Sequence, residues 1–179
     1  MAWEFDILYA LQSIHNPVLD PIMVFITHFG DKGLFWIVVA LAVLVIRKDK
    51  GMGLTAVGAL ASEALICNVI IKPLVARQRP CWIDDTVTLL IASPHDFSFP
   101  SGHTSASFAV ATAIFLWDKR WGTVALIWAG LIAFSRMYLF VHFPTDVLVG
   151  LVIGVLMAVV TWMIVKYFYH SDSDVYVKH

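Results

Sequence analysis

The chain has 179 residues, of which 60% are hydrophobic and 14% charged, with a formal net charge of -1 and a mean hydropathy of +0.81. A soluble domain averages roughly a quarter charged residues, so this composition marks an integral membrane protein. No basic excess is available to neutralise phosphates along a duplex, which excludes nucleic acid as a partner.

The first residues, Met1 to Asp6, carry acid where a signal peptide needs base, so no cleaved leader is expected. Trp3 to Ile14 mixes polar and apolar positions and suits a helix lying along the membrane interface. Val18 to Phe29 is apolar but short of the ~20 residues a crossing needs, and is predicted to be interfacial or re-entrant. Leu34 to Ile46 is predicted to be the first crossing and Met52 to Ile71 the second. The second holds Glu63, and a carboxylate at that depth should face the bundle interior and have a partner.

Residues 75–100 turn rich in Arg, Asp, Pro and Ser and read as a loop, with room for a short amphipathic helix over 86–92. Pro100 and Ser101, the latter as N-cap, open a third crossing that runs to Trp117. Residues 121–139 supply a fourth. Pro144, whose fixed φ suits a first helical position, opens a fifth that runs to Tyr169. The predicted fold is therefore an all-α integral membrane bundle of five transmembrane helices, or six if residues 18–29 also cross. It forms a single domain over 1–179, with interfacial N-terminal helices in 1–30, an outer loop at 76–100 and a polar tail at 170–179. Cations in short loops favour the cytoplasm, and Arg47, Lys48, Lys50, Lys119, Arg120 and Lys166 share one face by parity. The 72–100 loop and the turn at His142 then fall on the opposite, extracytoplasmic face.

Three clusters interrupt the apolar pattern on that face. Lys72 is followed after six residues by Arg79-Pro80; then comes Pro100-Ser101-Gly102-His103; then Ser135-Arg136, five residues, His142, three residues and Asp146. Small residues at a helix start let backbone N–H groups approach an anion closely. Asp146, in the first turn of a helix, can take the Nδ1 proton of His142 and leave Nε2 free as nucleophile or base. Three cations, a nest of N–H donors and two histidines at one face describe an oxyanion site, most economically for phosphate.

Other polar residues have plainer readings. His15, His28, His95 and His170 fit no pattern and read as surface or interfacial, Arg77 as a cation that steers anions or faces headgroups, and Asp84, Asp85 and Asp96 as solvated loop acids. Glu63 reads as a structural hydrogen-bonding group in preference to a catalytic one. Gly150-x3-Gly154 reads as close packing within the bundle in preference to a dimer seam.

Taken together, Lys-x6-Arg-Pro, Pro-Ser-Gly-His and Ser-Arg-x5-His-x3-Asp resemble the three-part signature of the type 2 phosphatidic acid phosphatase (PAP2) superfamily, which also includes glucose-6-phosphatase and the vanadium haloperoxidases. The segments Asn16 to Asp20 and Phe25 to Thr27 also resemble the short bacterial undecaprenyl pyrophosphate phosphatases. The resemblance implies a membrane lipid phosphatase with His142 as nucleophile, Asp146 orienting it and His103 as general acid and base. Lys72, Arg79, Ser101, Gly102 and Arg136 would hold the phosphate. It implies no metal and no cofactor, a lipid phosphate or pyrophosphate as substrate, membrane lipid around it, and no obligate protein partner. Undecaprenyl pyrophosphate is the substrate it favours, with phosphatidic acid or phosphatidylglycerol phosphate close behind. A vanadate-dependent haloperoxidase and a non-catalytic lipid-phosphate carrier are the rival readings.

Overall fold

A computed structural model describes residues 2–48 and 50–176, the last eight of these by backbone only. The described residues form helices and connecting turns, with no strand among them. Helix α1 spans Ala2–Gln12 and α2 spans Leu19–His28. A 3₁₀ turn at Asp31–Gly33 leads into α3, Leu34–Ile46. Helix α4, Gly51–Ala64, runs on through a π-helical segment, Leu65–Ile71, into the short α5, Lys72–Val75. Then follow α6 (Pro80–Ile83), α7 (Gly102–Trp117), α8 (Lys119–Tyr138) and α9 (Pro144–Tyr176).

Helix α7 is the central post, packed against α4, α8 and α9. Its buried stretch is built of small residues, including Ala106, Ala109, Ala111 and Ala113. In lipid, helix association depends on close packing and interhelical hydrogen bonds, and small residues permit both. Gly150 and Gly154 of α9 lie over the carbonyls of Ser101 and Ser105, where an added Cβ would approach to 2.7 and 2.4 Å. The pair packs within the bundle. Trp36 on α3 is buried, and its indole N–H donates to Ser107 on α7 at 2.7 Å.

Among the described residues, two segments, Gly51–Ile83 and Pro144–Phe168, are long and apolar enough to cross a membrane. The pair Leu19–His28 and Asp31–Ile46 meets at 41° and qualifies as one bent span. Residues 19–28 thus pair with α3 across a sharp bend, as one broken span or as the re-entrant piece the sequence suggested. Helix α7, at 16 residues, is shorter than the ~20 needed, and α8 carries Lys119, Arg120 and Arg136, so neither meets the same test.

Three local expectations are corrected. Residues 86–92 are not helical; the helical turn in this interval is α6, set by Pro80 at its first position. Helix α4 does not stop at Lys72-Pro73, because the π segment and α5 carry it to Val75. The polar tail is helical in its backbone to Tyr176, and residues 177–179 lie outside the described residues.

Candidate active site

Each of the three sequence clusters ends on the same cavity. Lys72 sits on α5, immediately after the π segment. Arg79 precedes α6 in extended conformation. Gly102 and His103 begin α7, Arg136 lies in the last turn of α8, and His142 occupies the turn between α8 and α9. That turn is tight because Phe140 takes a left-handed conformation (φ 59°) and the N–H groups of Val141 and His142 both donate to the Arg136 carbonyl. Arg136 and His142 are therefore held together by backbone.

The cavity encloses about 700 Å³ and is lined by Lys72, Arg79, Gly102, His103, Arg136 and His142, among others. Part of its lining is apolar, with Ile37, Leu60, Ala64 and Ala106. A second cavity of about 590 Å³, lined by Trp36, Val43, Met52, Trp121 and Trp128, is almost wholly apolar and holds none of the predicted site residues.

His142 is buried. Its Nε2 lies 3.0 Å from Arg79 Nη1 and its Nδ1 lies 3.4 Å from Ser98 Oγ. Burial, then the charges of Arg79, Arg136, Lys72 and His103, push its pKa well below the usual histidine value, so the ring is neutral. Asp146 is fully buried at the start of α9. Its Oδ2 accepts from Ser98 Oγ at 2.5 Å and from the Phe143 N–H at 2.8 Å, while its Oδ1 accepts from Arg77 at 2.6 Å. The carboxylate is 3.6 Å from His142 Nδ1. The direct hydrogen bond expected from the sequence is thus replaced by an arrangement in which Ser98 touches both groups.

Arg79 is 2% exposed. It donates to the backbone oxygens of Asp96 at 2.7 Å and Val141 at 2.8 Å, and its Nη2 meets Asp96 Oδ1 at 2.7 Å. Lys72 Nζ donates to the other oxygen, Asp96 Oδ2, at 2.5 Å. Partial burial works to raise the Asp96 pKa, but Lys72 and Arg79 outweigh it and hold the carboxyl well below the usual carboxylate range. Asp96 is therefore no free loop acid. Its carboxylate fills the space between two of the predicted phosphate ligands.

Arg136 Nη1 donates to Thr27 Oγ1 at 2.5 Å, and its buried Nε has no hydrogen-bond partner among the described residues. His103 Nε2 lies 3.0 Å from Asp31 Oδ1, whose other oxygen is 2.7 Å from His28 Nδ1. His28, read as a surface residue, supports that acid. Gly102 abuts Lys72 and Asn68, so its main chain lines the cavity at the first turn of α7. Ser101 departs from expectation. It is fully buried behind the cavity, its N–H donates to the Asp146 carbonyl at 3.0 Å, and its hydroxyl accepts from Thr104 at 3.0 Å; it caps no N–H and braces α7 against α9. Glu63 is buried and lines the cavity floor, accepting a hydrogen bond from Ser105, in keeping with an intramembrane carboxylate that finds a partner. Among the described residues, no group of three His, Cys, Asp or Glu converges to hold a metal ion.

No spacing or pattern in the sequence marks Ser98, Asp31 or Glu4 for the site, and Thr27 enters it only as part of a resembling segment, because each is a lone polar residue whose partner is distant along the chain. Arg77, read as a headgroup-facing cation, is corrected most sharply. It is 14% exposed and pairs with Glu4 and Asp146.

Comparison with known proteins shows the family. The family model of the PAP2 superfamily matches residues 52–170, two-thirds of the chain and all three clusters. The chain belongs to the PAP2 superfamily. This PAP2 chain is 32% identical over 155 residues to undecaprenyl-diphosphatase BcrC of Bacillus subtilis (strain 168), covering 86% of this chain and 79% of that one. Among solved structures, it superposes on Aquifex aeolicus LpxE with a TM-score of 0.76 and 26% identity, covering 88% of this chain and 93% of that one. A transmembrane PAP2-type phosphatidylglycerolphosphate phosphatase from Bacillus subtilis gives 0.72 and 27%, covering 95% and 86%.

Proposed function

We propose that this PAP2 protein is a multi-pass membrane phosphatase that removes phosphate from a lipid phosphate or pyrophosphate at the extracytoplasmic face, through a phosphohistidine. The observation that carries this reading is the meeting of Lys72, Arg79 and Arg136 with two histidines on one cavity. The apolar wall at Ile37, Leu60 and Ala64 suits the first carbons of a lipid whose chain stays in the bilayer.

In the first step the Nε2 lone pair of neutral His142 attacks phosphorus. The P–O bond to the leaving group breaks, and that oxygen takes a proton from His103. Nδ1 keeps its proton, so the phosphorylated ring is cationic and is supported by Asp146 and Ser98. Lys72, Arg79, Arg136 and the Gly102 amide hold the equatorial oxygens as charge redistributes. His103 then takes a proton from water, which attacks phosphorus and frees His142. Asp96 stands where the phosphate binds and must give way as it arrives. Undecaprenyl pyrophosphate is the favoured substrate on the likeness to BcrC.

The test is phosphate release by purified protein in detergent, with chelator present, from undecaprenyl pyrophosphate, phosphatidic acid and phosphatidylglycerol phosphate. Release by wild type and none by folded His142→Ala is expected. Release surviving in His142→Ala overturns the reading.

A further inference from the structure

A buried charge network joins the N-terminal helix to the residue that supports the nucleophile. Arg77 Nη2 meets Glu4 Oε2 at 2.7 Å, and its Nη1 meets both Asp146 Oδ1 at 2.6 Å and Thr145 Oγ1 at 2.7 Å. Thr145 Oγ1 in turn donates to the second Glu4 oxygen at 2.5 Å. The Arg77 guanidinium lies 4.0 Å from the centre of the Phe143 ring, next in sequence to His142. The side chains of Glu4 and Asp146 are 5% and 0% exposed, so solvent does little to screen the three charges from one another.

The two oxygens of Asp146 are divided between separate tasks. Oδ2 faces Ser98, the Phe143 N–H and His142, while Oδ1 is held by Arg77. Arg77 on Oδ1, with Ser98 and the Phe143 N–H on Oδ2, restrains the terminal torsion of the carboxylate and so the direction from which Oδ2 faces the imidazole. The charges also add up in a particular way. Asp146 and Arg77 alone cancel, and the negative charge of Glu4 brings the cluster to a net -1. That net charge favours a cationic ring on His142, the state that phosphorylation creates.

We propose that Glu4 and Arg77 are positioning residues of the catalytic centre, which aim the Asp146 carboxylate at His142 and set the net charge the imidazole experiences. The inference rests on the reading of His142 as nucleophile. It makes α1 a contributor to the reaction, although none of its residues lines the cavity.

The two positions differ in sign, which separates this role from a structural one. Glu4→Gln leaves the cluster neutral, lowers the proton affinity of His142 and moves the acidic limb of the kcat/KM profile to lower pH. Arg77→Gln leaves the cluster at net -2 and moves the limb to higher pH. Each shift is expected to be about half a pH unit or more. The double variant Glu4→Gln/Arg77→Gln restores net -1 and returns the limb towards wild type. The other charges facing His142 are Arg79 before α6, Lys72 on α5, Arg136 on α8, His103 on α7 and Asp96 in the loop before it, and all stay in place in each variant. Tyr9→Phe serves as the control. Tyr9, also on α1, donates to Asp84 at 2.6 Å, so its loss loosens the helix without touching the cluster and should leave the limb where it is.

The measurement is kcat and KM for phosphate release from a short-chain phosphatidic acid in detergent across pH, with thermal melting to show that each variant is folded. Opposite shifts that cancel in the double variant support the proposal. Shifts in one direction, or none, overturn it. Should Arg77→Gln fail to fold, an unmoved limb in Glu4→Gln is sufficient to overturn it. Turnover surviving in His142→Ala would instead remove the nucleophile reading, and this inference with it. With His142→Ala inactive and the limb unmoved, only the present inference falls.

Discussion

Asp96 offers the sharpest test of the phosphate site, because its carboxylate sits on the cations that a phosphate would use. In Asp96→Asn the amide keeps the size and loses the charge. The contacts to Lys72 at 2.5 Å and to Arg79 at 2.7 Å are ion pairs to a side chain 55% exposed, so each is valued as a solvent-screened pair worth up to about 1 kcal/mol. An arriving phosphate therefore displaces interactions worth about 1–2 kcal/mol, and removing them should tighten phosphate binding about 5- to 30-fold. Arg79 does not lose its place, since its bonds to the Asp96 and Val141 carbonyls are made to backbone. Because the gain is shared by ground and transition states, it should appear in KM with kcat changed less than about threefold. The assay is the inhibition constant of inorganic phosphate together with kcat and KM for a lipid phosphate in detergent. Phosphate inhibition unchanged or weakened in a folded Asp96→Asn protein would refute the claim that this carboxylate competes for the site.

Asp146→Asn should cost about four orders of magnitude in kcat, by analogy with triads. Any orientation of the amide sets its NH₂ against Arg77 or against the Ser98 and Phe143 donors. Activity within about twofold of wild type would contradict the role. His142 has a pKa below its unfolded value of about 6.5, so between the two values the unfolded chain binds more protons and stability rises with pH. The contribution is full above pH ~6.5 and is lost as pH falls below it. The thermal midpoint of wild type should therefore drop more between pH 7 and 5 than that of His142→Gln, and parallel curves would argue against a neutral ring. At Gly30 an added Cβ would lie 2.3 Å from His103 Cδ2, in a ring already tied to Asp31. Gly30→Ala should displace that ring and lower kcat by about tenfold or more, as measured by phosphate release.

The convergence of Lys72, Arg79, His103, Arg136 and His142 was legible in the sequence because each cluster broke an apolar pattern at a span end, where parity sets the face. Helix α9 was legible for its length and Pro144, and Glu63 because a buried acid demands a partner. The partners themselves were not legible. Asp96 and Arg77 look like any charged residues of a polar loop, and only tertiary structure reveals that one sits between Lys72 and Arg79 and the other stacks on Phe143 between Glu4 and Asp146. Ser98, between His142 and Asp146, carries no periodic or spacing signal. The pairing of α2 with α3 across a 41° bend carried no sequence signal, since Gly30 and Gly33 read as an end.

The π segment Leu65–Ile71 puts the number of residues, as much as their kind, in control of Lys72. A π turn is how a helix absorbs one additional residue without breaking. If the same residues wound as a regular α-helix, the ammonium would swing by roughly 100° about the helix axis, out of register with Arg79, whereas deleting one residue from the wide turn would let the helix straighten with Lys72 near its present direction. The wide turn therefore keeps the ammonium on the cavity while the helix carries one residue more than a regular winding would hold.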